Sequence, residues 1–273
     1  MPEGPEIRRA ADEVEQAICN KPILKIEFGL ANLKKWESEF SGSKATKIET
    51  YGKAMLTHFD NGLAIYSHNQ LYGRWICCPA NQPPITTRQL RLGIYTNDHW
   101  ALLYSASEIE VLYTNKIPEH PFIKKLGLDV LSPEITTNYI VDKLKSATYR
   151  NRQIGGFLTD QSFVAGLGNY LRCEILFVTG INPKTKPSEL SPQKLAQLAK
   201  AIIDLPRQSY QTKGITNDLS TAQKLIQQGS SFENARFWVF RRKGLNCYRC
   251  GNIIIKNKAA GQACYCCMTC QSN

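Results

Sequence analysis

The sequence predicts an α+β chain of more than one domain, on three observations. A helical apolar pattern opens it, a long stretch of period two follows, and helical patterns then run to a cysteine-rich tail. Its 273 residues give room for one large domain or two ordinary ones with real cores. Hydrophobic residues at 42% and charged residues at 21% describe a globular chain and exclude a disordered one. The net charge of +11 points to an anionic partner, nucleic acid first, although a solvated basic surface gives the same total. The start is acidic and polar, where a secretion signal is basic and then apolar, and no apolar run reaches the length of a membrane span. A reducing, cytoplasmic setting is expected.

Residues 3–19 read as an amphipathic helix. Ile7, Ala10, Ala11, Val14, Ala17 and Ile18 share one face, and Arg8, Arg9, Asp12 and Glu13 occupy the other. From about 22 to 105 the period is two. Leu24, Ile26 and Phe28 alternate with polar residues, as do Leu90, Leu92 and Ile94, and D-N-G at 60–62 and T-N-D at 96–98 supply turns. Short strands at this spacing make a β-sandwich or a barrel. Pro118 to Pro133 reads as a linker. Helices are then expected over 139–146, 153–163 and 170–178. A further helix starts at Ser191-Pro192, an N-cap followed by proline, and is expected to stop before Pro206. Residues 213–234 read as a long mobile loop with at most one short helix, and R-F-W-V-F-R-R has strand character.

Several stretches carry possible chemistry. The chain begins M-P-E-G-P-E. Methionine before a small residue is usually clipped, which leaves Pro2 as a secondary amine with a free lone pair. Such an amine titrates near neutrality and can attack a carbonyl to form an iminium. Glu3 and Glu6 would supply carboxylates for proton transfer beside it. The same residues also suit a plain helix start. In the tail, C-Y-R-C and C-M-T-C place Cys247, Cys250, Cys267 and Cys270 as two knuckles, the pattern of a structural zinc ribbon with no open position. Cys264 and Cys266 lie beside the second knuckle, and Cys264 with Cys267 forms a competing C-x-x-C. A ribbon this small has no core of its own, so the metal should hold it together. A-G-L-G-N-Y-L-R at 165–172 can bind a phosphate through Asn169 and helix amides, or can be an ordinary turn. Lys53 follows a glycine at the head of a strand. S-H-N-Q-L-Y-G ends a strand and offers Leu71 and Tyr72 as wedges for a base stack, or as a packed turn.

Taken together, M-P-E-G-P-E-I, Y-G-K-A-M-L, Y-S-H-N-Q-L-Y-G, D-Q-S-F-V-A-G-L-G-N-Y-L-R and the four-cysteine tail resemble the formamidopyrimidine-DNA glycosylase/endonuclease VIII family, nearest its bacterial endonuclease VIII branch. The matches are collinear and span nearly the whole chain. The resemblance implies an N-terminal helix with a two-layer β-sandwich, a helix-two-turn-helix domain and a zinc finger, over 2–133, 134–234 and 235–273. It implies a monomeric bifunctional glycosylase and abasic-site lyase acting on oxidised pyrimidines in duplex DNA, with one structural zinc. Pro2 would be the nucleophile, Glu3 the acid/base and Glu6 its support. Lys53 would hold a phosphate and assist β-elimination, and Asn169 would bind phosphate. Gln70, Leu71 and Tyr72 would fill the gap left by the flipped nucleotide.

The chain departs from the family pattern at two positions. Where the family places an arginine linked to δ-elimination, alignment on the cysteines puts Gln262, with Lys256 and Lys258 nearby. A DNA-contacting arginine of the endonuclease VIII branch appears as Lys125, which keeps the charge and loses the planar fork. Two rival readings stay open. One is an oxidised-purine glycosylase of the same family, and the other a non-catalytic zinc-ribbon protein that binds damaged or abasic DNA.

Overall fold

Alternating apolar residues become eight strands in two antiparallel sheets. The computed structural model describes residues 2–272, so Met1 and the question of its removal lie outside the described residues. In chain order the elements are helix α1 (Gly4–Ile18), then β1 (Lys25–Phe28), β2 (Ala45–Tyr51), β3 (Ala54–Phe59), β4 (Leu63–His68), β5 (Arg74–Pro79), β6 (Leu90–Tyr95), β7 (His99–Tyr104) and β8 (Glu108–Tyr113). The sheets run β1-β6-β7-β5 and β2-β3-β4-β8. Ile26, Phe28, Leu92 and Leu103 of the first sheet and Ile48, Met55, Ile65 and Ile109 of the second share one core, which settles the layout as a sandwich. Strand structure continues past the expected end at 105, because E-I-E-V-L-Y pairs along β4 as β8. Ala11, Val14, Ala17 and Ile18 of α1 enter the same core. Each large apolar side chain so buried contributes about 1.5–3 kcal/mol.

The described chain forms two compact units. One holds Pro2 and Glu6–Lys125, the other Glu3–Pro5 and the residues from Leu126 onward. The second unit contains α2 (Thr137–Lys145), α3 (Ile154–Phe157), α4 (Asn169–Val178), α5 (Pro192–Gln211), α6 (Leu219–Gln227), α7 (Phe232–Ala235) and the hairpin β9 (Ile255–Ala259)–β10 (Gln262–Cys266). Its core joins Leu144, Phe157, Phe163, Leu171, Leu176, Leu198 and Ile202 to Phe237, Val239, Ile254 and Cys264 of the tail. The ribbon therefore packs into the helical core and so shares a core that its own few residues do not supply.

Four expectations are corrected. The helix expected over 153–163 ends at Phe157, where Asp160 turns the chain by donating its N–H to the Phe157 carbonyl at 2.8 Å and capping Ser162 with its carboxylate. Helix α5 continues through Pro206 to Gln211. An interior proline costs about 3 kcal/mol, but Leu205, Pro206 and Ser209 are buried and the Ser209 hydroxyl meets the Tyr170 hydroxyl at 2.9 Å. Residues 213–234 do not form one loop. Asp218 caps α6 by accepting from the Thr221 N–H at 2.8 Å, and Ser231 caps α7 through the Asn234 N–H at 3.3 Å.

Finally, F-W-V-F is not a strand. The backbone N–H groups of Trp238, Val239 and Phe240 donate to the Glu174 carboxylate at 2.7, 2.9 and 2.9 Å, and the Thr216 hydroxyl donates at 2.7 Å. Glu174 is fully buried on α4, and burial raises its carboxyl while these donors act in the opposite sense. Glu174→Ala should lower the unfolding free energy by about 3 kcal/mol or more, since it orphans several buried donors. Urea denaturation measures this, and a loss below about 1 kcal/mol would mean that the segment finds other acceptors.

Candidate active site and nucleic-acid interface

Glu3 reaches the N-terminus of α4. Its side chain is 3% exposed, Oε1 accepts from the Tyr170 N–H at 2.7 Å, and Oε2 accepts from the Leu171 N–H at 3.3 Å. Free amides and the positive end of the helix dipole make this a natural seat for an acidic group. The Gly4 N–H donates to the Gly166 carbonyl at 2.8 Å, so backbone and side chain grip the same loop. Gln161 sets that loop's shape. Its Nε2 donates to the carbonyls of Thr159 at 2.9 Å and Leu167 at 2.8 Å, and its Oε1 accepts from the Gly166 N–H at 3.0 Å. Gly168 is required by close approach, because a Cβ there would stand 2.3 Å from Glu3 Cδ. The G-L-G-N motif thus acts first as a socket for Glu3. Asn169, half-buried, is the first residue of α4. Pro2, also half-buried, is joined by its peptide bond to the anchored Glu3, and Glu6 accepts from Arg9 Nη2 at 3.0 Å.

A second group of residues lies at one end of the β2-β3-β4-β8 sheet. Tyr51 pairs with Ala54, so Gly52 and Lys53 form a two-residue hairpin loop, with Gly52 at φ +62°. Ala54 pairs with His68, which brings this loop level with the end of β4. Burial lowers the His68 pKa first, Lys53 lowers it further, and Glu108 opposes both. His68 Nδ1 accepts from the Gln70 N–H at 3.0 Å, which fixes the proton of the neutral ring on Nε2. Gln70 sits at φ +50°, in a region few side chains enter, and its amide is tied to Glu108. The Gly73 N–H donates to the Asn69 carbonyl at 2.7 Å, and Arg88 Nη1 donates to the Tyr72 carbonyl at 2.7 Å. The turn is therefore braced while Leu71 and Tyr72 are 56% and 71% exposed.

Lys125 is exposed in the short 3-10 segment Ile123–Lys125. Gln262 is exposed at the start of β10, opposite Ala259, and Lys256 and Lys258 are exposed on β9. The thiols of Cys247, Cys250, Cys267 and Cys270 lie within 4.8 Å of one another. Sγ–Sγ distances of 3.9 Å for Cys247–Cys270 and 3.4 Å for Cys250–Cys267 are near the edge of about 3.8 Å that Zn–S bonds of about 2.3 Å would give. The Cys250 thiol is drawn down to about 7, first by the Asn252 backbone N–H. This donor set fits a tetrahedral thiophilic ion. Cys264 stands apart in the core against Cys173, and Cys266 lies beside Asn257 and Met268.

Residues 1–107 match the formamidopyrimidine-DNA glycosylase N-terminal domain, and residues 126–221 match its H2TH domain. Endonuclease 8 of Escherichia coli O17:K52:H18 is 46% identical over 271 residues, covering 99% of this chain and 100% of that protein. Endonuclease 8 of Salmonella typhi is 47% identical over the same shares. The chain belongs to the formamidopyrimidine-DNA glycosylase/endonuclease VIII family. Members of this family are DNA glycosylases and abasic-site lyases, and the chain is one of its DNA repair enzymes. The fold matches Lactococcus lactis Fpg (MutM) bound to N7-benzyl-Fapy-dG DNA, with TM-score 0.81, 23% identity and 100% of both chains covered. It matches the same protein on abasic-site DNA with TM-score 0.81, 22% identity, and 99% and 100% covered. Among the described residues no helix is long and apolar enough to cross a membrane.

The sequence reading gave no role to Arg172 or Glu174, each charged and wholly buried on α4. Their signal is charge at two positions within the otherwise apolar run Y-L-R-C-E-I-L-F. The socket yields a prediction. Gly168→Ala should destabilise the protein by about 1–3 kcal/mol through the Glu3 clash, and Glu3→Ala should remove most of that penalty. A thermal double-mutant cycle measures it, and an undiminished penalty would place the clash elsewhere.

Proposed function

We propose that the chain is a bifunctional glycosylase and abasic-site lyase that removes oxidised pyrimidines, with the Pro2 amine as nucleophile. The observation that supports this best is the Glu3 carboxylate seated on the first amides of α4. It pins the residue bonded to Pro2 at the helix end that begins with Asn169. The domains are read as 2–133, 134–234 and 235–273.

A base inside a duplex is out of reach, so the damaged nucleotide flips out, and Gln70, Leu71 and Tyr72 take its place in the stack. With Met1 removed, the Pro2 nitrogen attacks the anomeric carbon of the deoxyribose. The base leaves, and an iminium links sugar to protein. Glu3 moves protons as the sugar ring opens. Glu6 supports it. The iminium draws electrons from the neighbouring C2′–H bond. Loss of that proton forms a double bond and expels the 3′ phosphate, with Lys53 at the phosphate. Asn169 and Lys125 bind the backbone. Zinc on Cys247, Cys250, Cys267 and Cys270 would be structural, since four thiolates leave no position for substrate. The enzyme works as a monomer on duplex DNA in the bacterial cytoplasm.

Duplexes carrying thymine glycol, 8-oxoguanine or an abasic site separate the readings. Incision at thymine glycol should exceed that at 8-oxoguanine by at least about tenfold. The reverse preference would assign the purine branch, and tight binding of the abasic duplex without incision would make the protein a binder. Gln262 carries no charge where the resemblance expects a cation. The wild type should therefore give mainly β-elimination product, and Gln262→Arg should increase the δ-elimination share and tighten binding severalfold at low salt. Gel separation of the ends and anisotropy read both, and no change in either would remove Gln262 from the mechanism.

A further inference from the structure

Arg172 is wholly buried on α4, one turn after Asn169. Its Nη1 donates to the carbonyls of Gly155 and Ala259, each at 3.1 Å. Its Nη2 donates to the Ala263 carbonyl at 3.1 Å and to Asn169 Oδ1 at 2.5 Å. A guanidinium has only donors, so the Asn169 atom facing it is the oxygen. The amide NH2, with its two donors, is then turned to the other side of a half-buried residue. The two hairpin carbonyls bracket the turn that leads to Gln262, which pairs with Ala259. Among the described residues Arg172 forms no ion pair with a carboxylate; four amide oxygens meet its Nη atoms, Nε has no hydrogen-bond partner, and the Cys264 thiol lies in its field. A buried cation of this kind attracts an anion arriving nearby more strongly than a screened one.

We infer that Arg172 is a positioning residue that orients Asn169 and the β9–β10 hairpin as one phosphate-binding unit. The inference rests on the proposed DNA-repair function and deepens it. Loss of Arg172 frees the Asn169 amide to turn, removes the charge behind it and detaches the hairpin. Loss of Asn169 alone removes the same phosphate contact. The two losses therefore overlap.

The test is binding of a duplex containing a tetrahydrofuran abasic analogue, followed by anisotropy across salt concentrations, for Arg172→Gln, Asn169→Ala and the double variant, each checked for bound zinc and thermal midpoint. Each single change should weaken binding about tenfold or more, and the double variant should be little weaker than either. Arg172→Gln should also flatten the salt dependence, which a purely structural role would leave alone. Should Arg172→Gln fail to fold, Asn169→Asp keeps Arg172 in place and asks the same question. Its carboxylate should pair with Arg172 and raise the thermal midpoint, yet present an oxygen to the phosphate and bind worse than Asn169→Ala. Additive losses in the cycle, or Asn169→Asp binding no worse than Asn169→Ala, would overturn the positioning role alone. A wild type that does not prefer the tetrahydrofuran duplex over an undamaged one would overturn the functional reading and this inference with it.

Discussion

Two backbone amides at the start of α4 bind the Glu3 carboxylate, and the placing of Glu3 follows from that contact. A chain start is ordinarily loose because nothing fixes it. Here the anchor is acidic, which suits the positive end of a helix, and Gly168 leaves room that a Cβ would fill. Glu3 thus has a structural task that also sets where its neighbour Pro2 must be. Under the proposed mechanism, that peptide bond would remove part of the freedom that slows an attack by Pro2.

Helix α4 extends this logic along its length. Asn169 begins it, Arg172 gathers the hairpin and Asn169, and Glu174 gathers the backbone of Trp238, Val239 and Phe240. Both charges are fully buried, and each is satisfied mainly by backbone groups. Satisfaction of that kind is directional, so it fixes geometry as well as stability. Ribbon and helices share a core besides, so metal would order the knuckles of a segment that packing already holds.

Much of this was legible in the sequence. Period two gave the sandwich strands, N-cap chemistry gave the start of α5, and cysteine spacing gave the thiol cluster. Spacing also allowed a pair of Cys264 with Cys267, and the burial of Cys264 against Cys173 sets that alternative aside. Pro206 inside α5 was missed because tertiary packing outweighs a local rule. The F-W-V-F segment looks like a strand until a carboxylate takes its amides. Glu3 reads as chemistry in the sequence, and its role as an anchor appears only with residues more than 160 positions away. In the candidate site, residue types were readable and partners were not, since partners depend on how distant segments meet.

Borohydride trapping on a duplex with one thymine glycol, followed by mass spectrometry of the trapped N-terminal peptide, tests the Pro2 mechanism. A covalent adduct on Pro2 is expected, from protein that begins at Pro2. Failure of such protein to form any adduct while binding the duplex, or an adduct on a lysine, would contradict it.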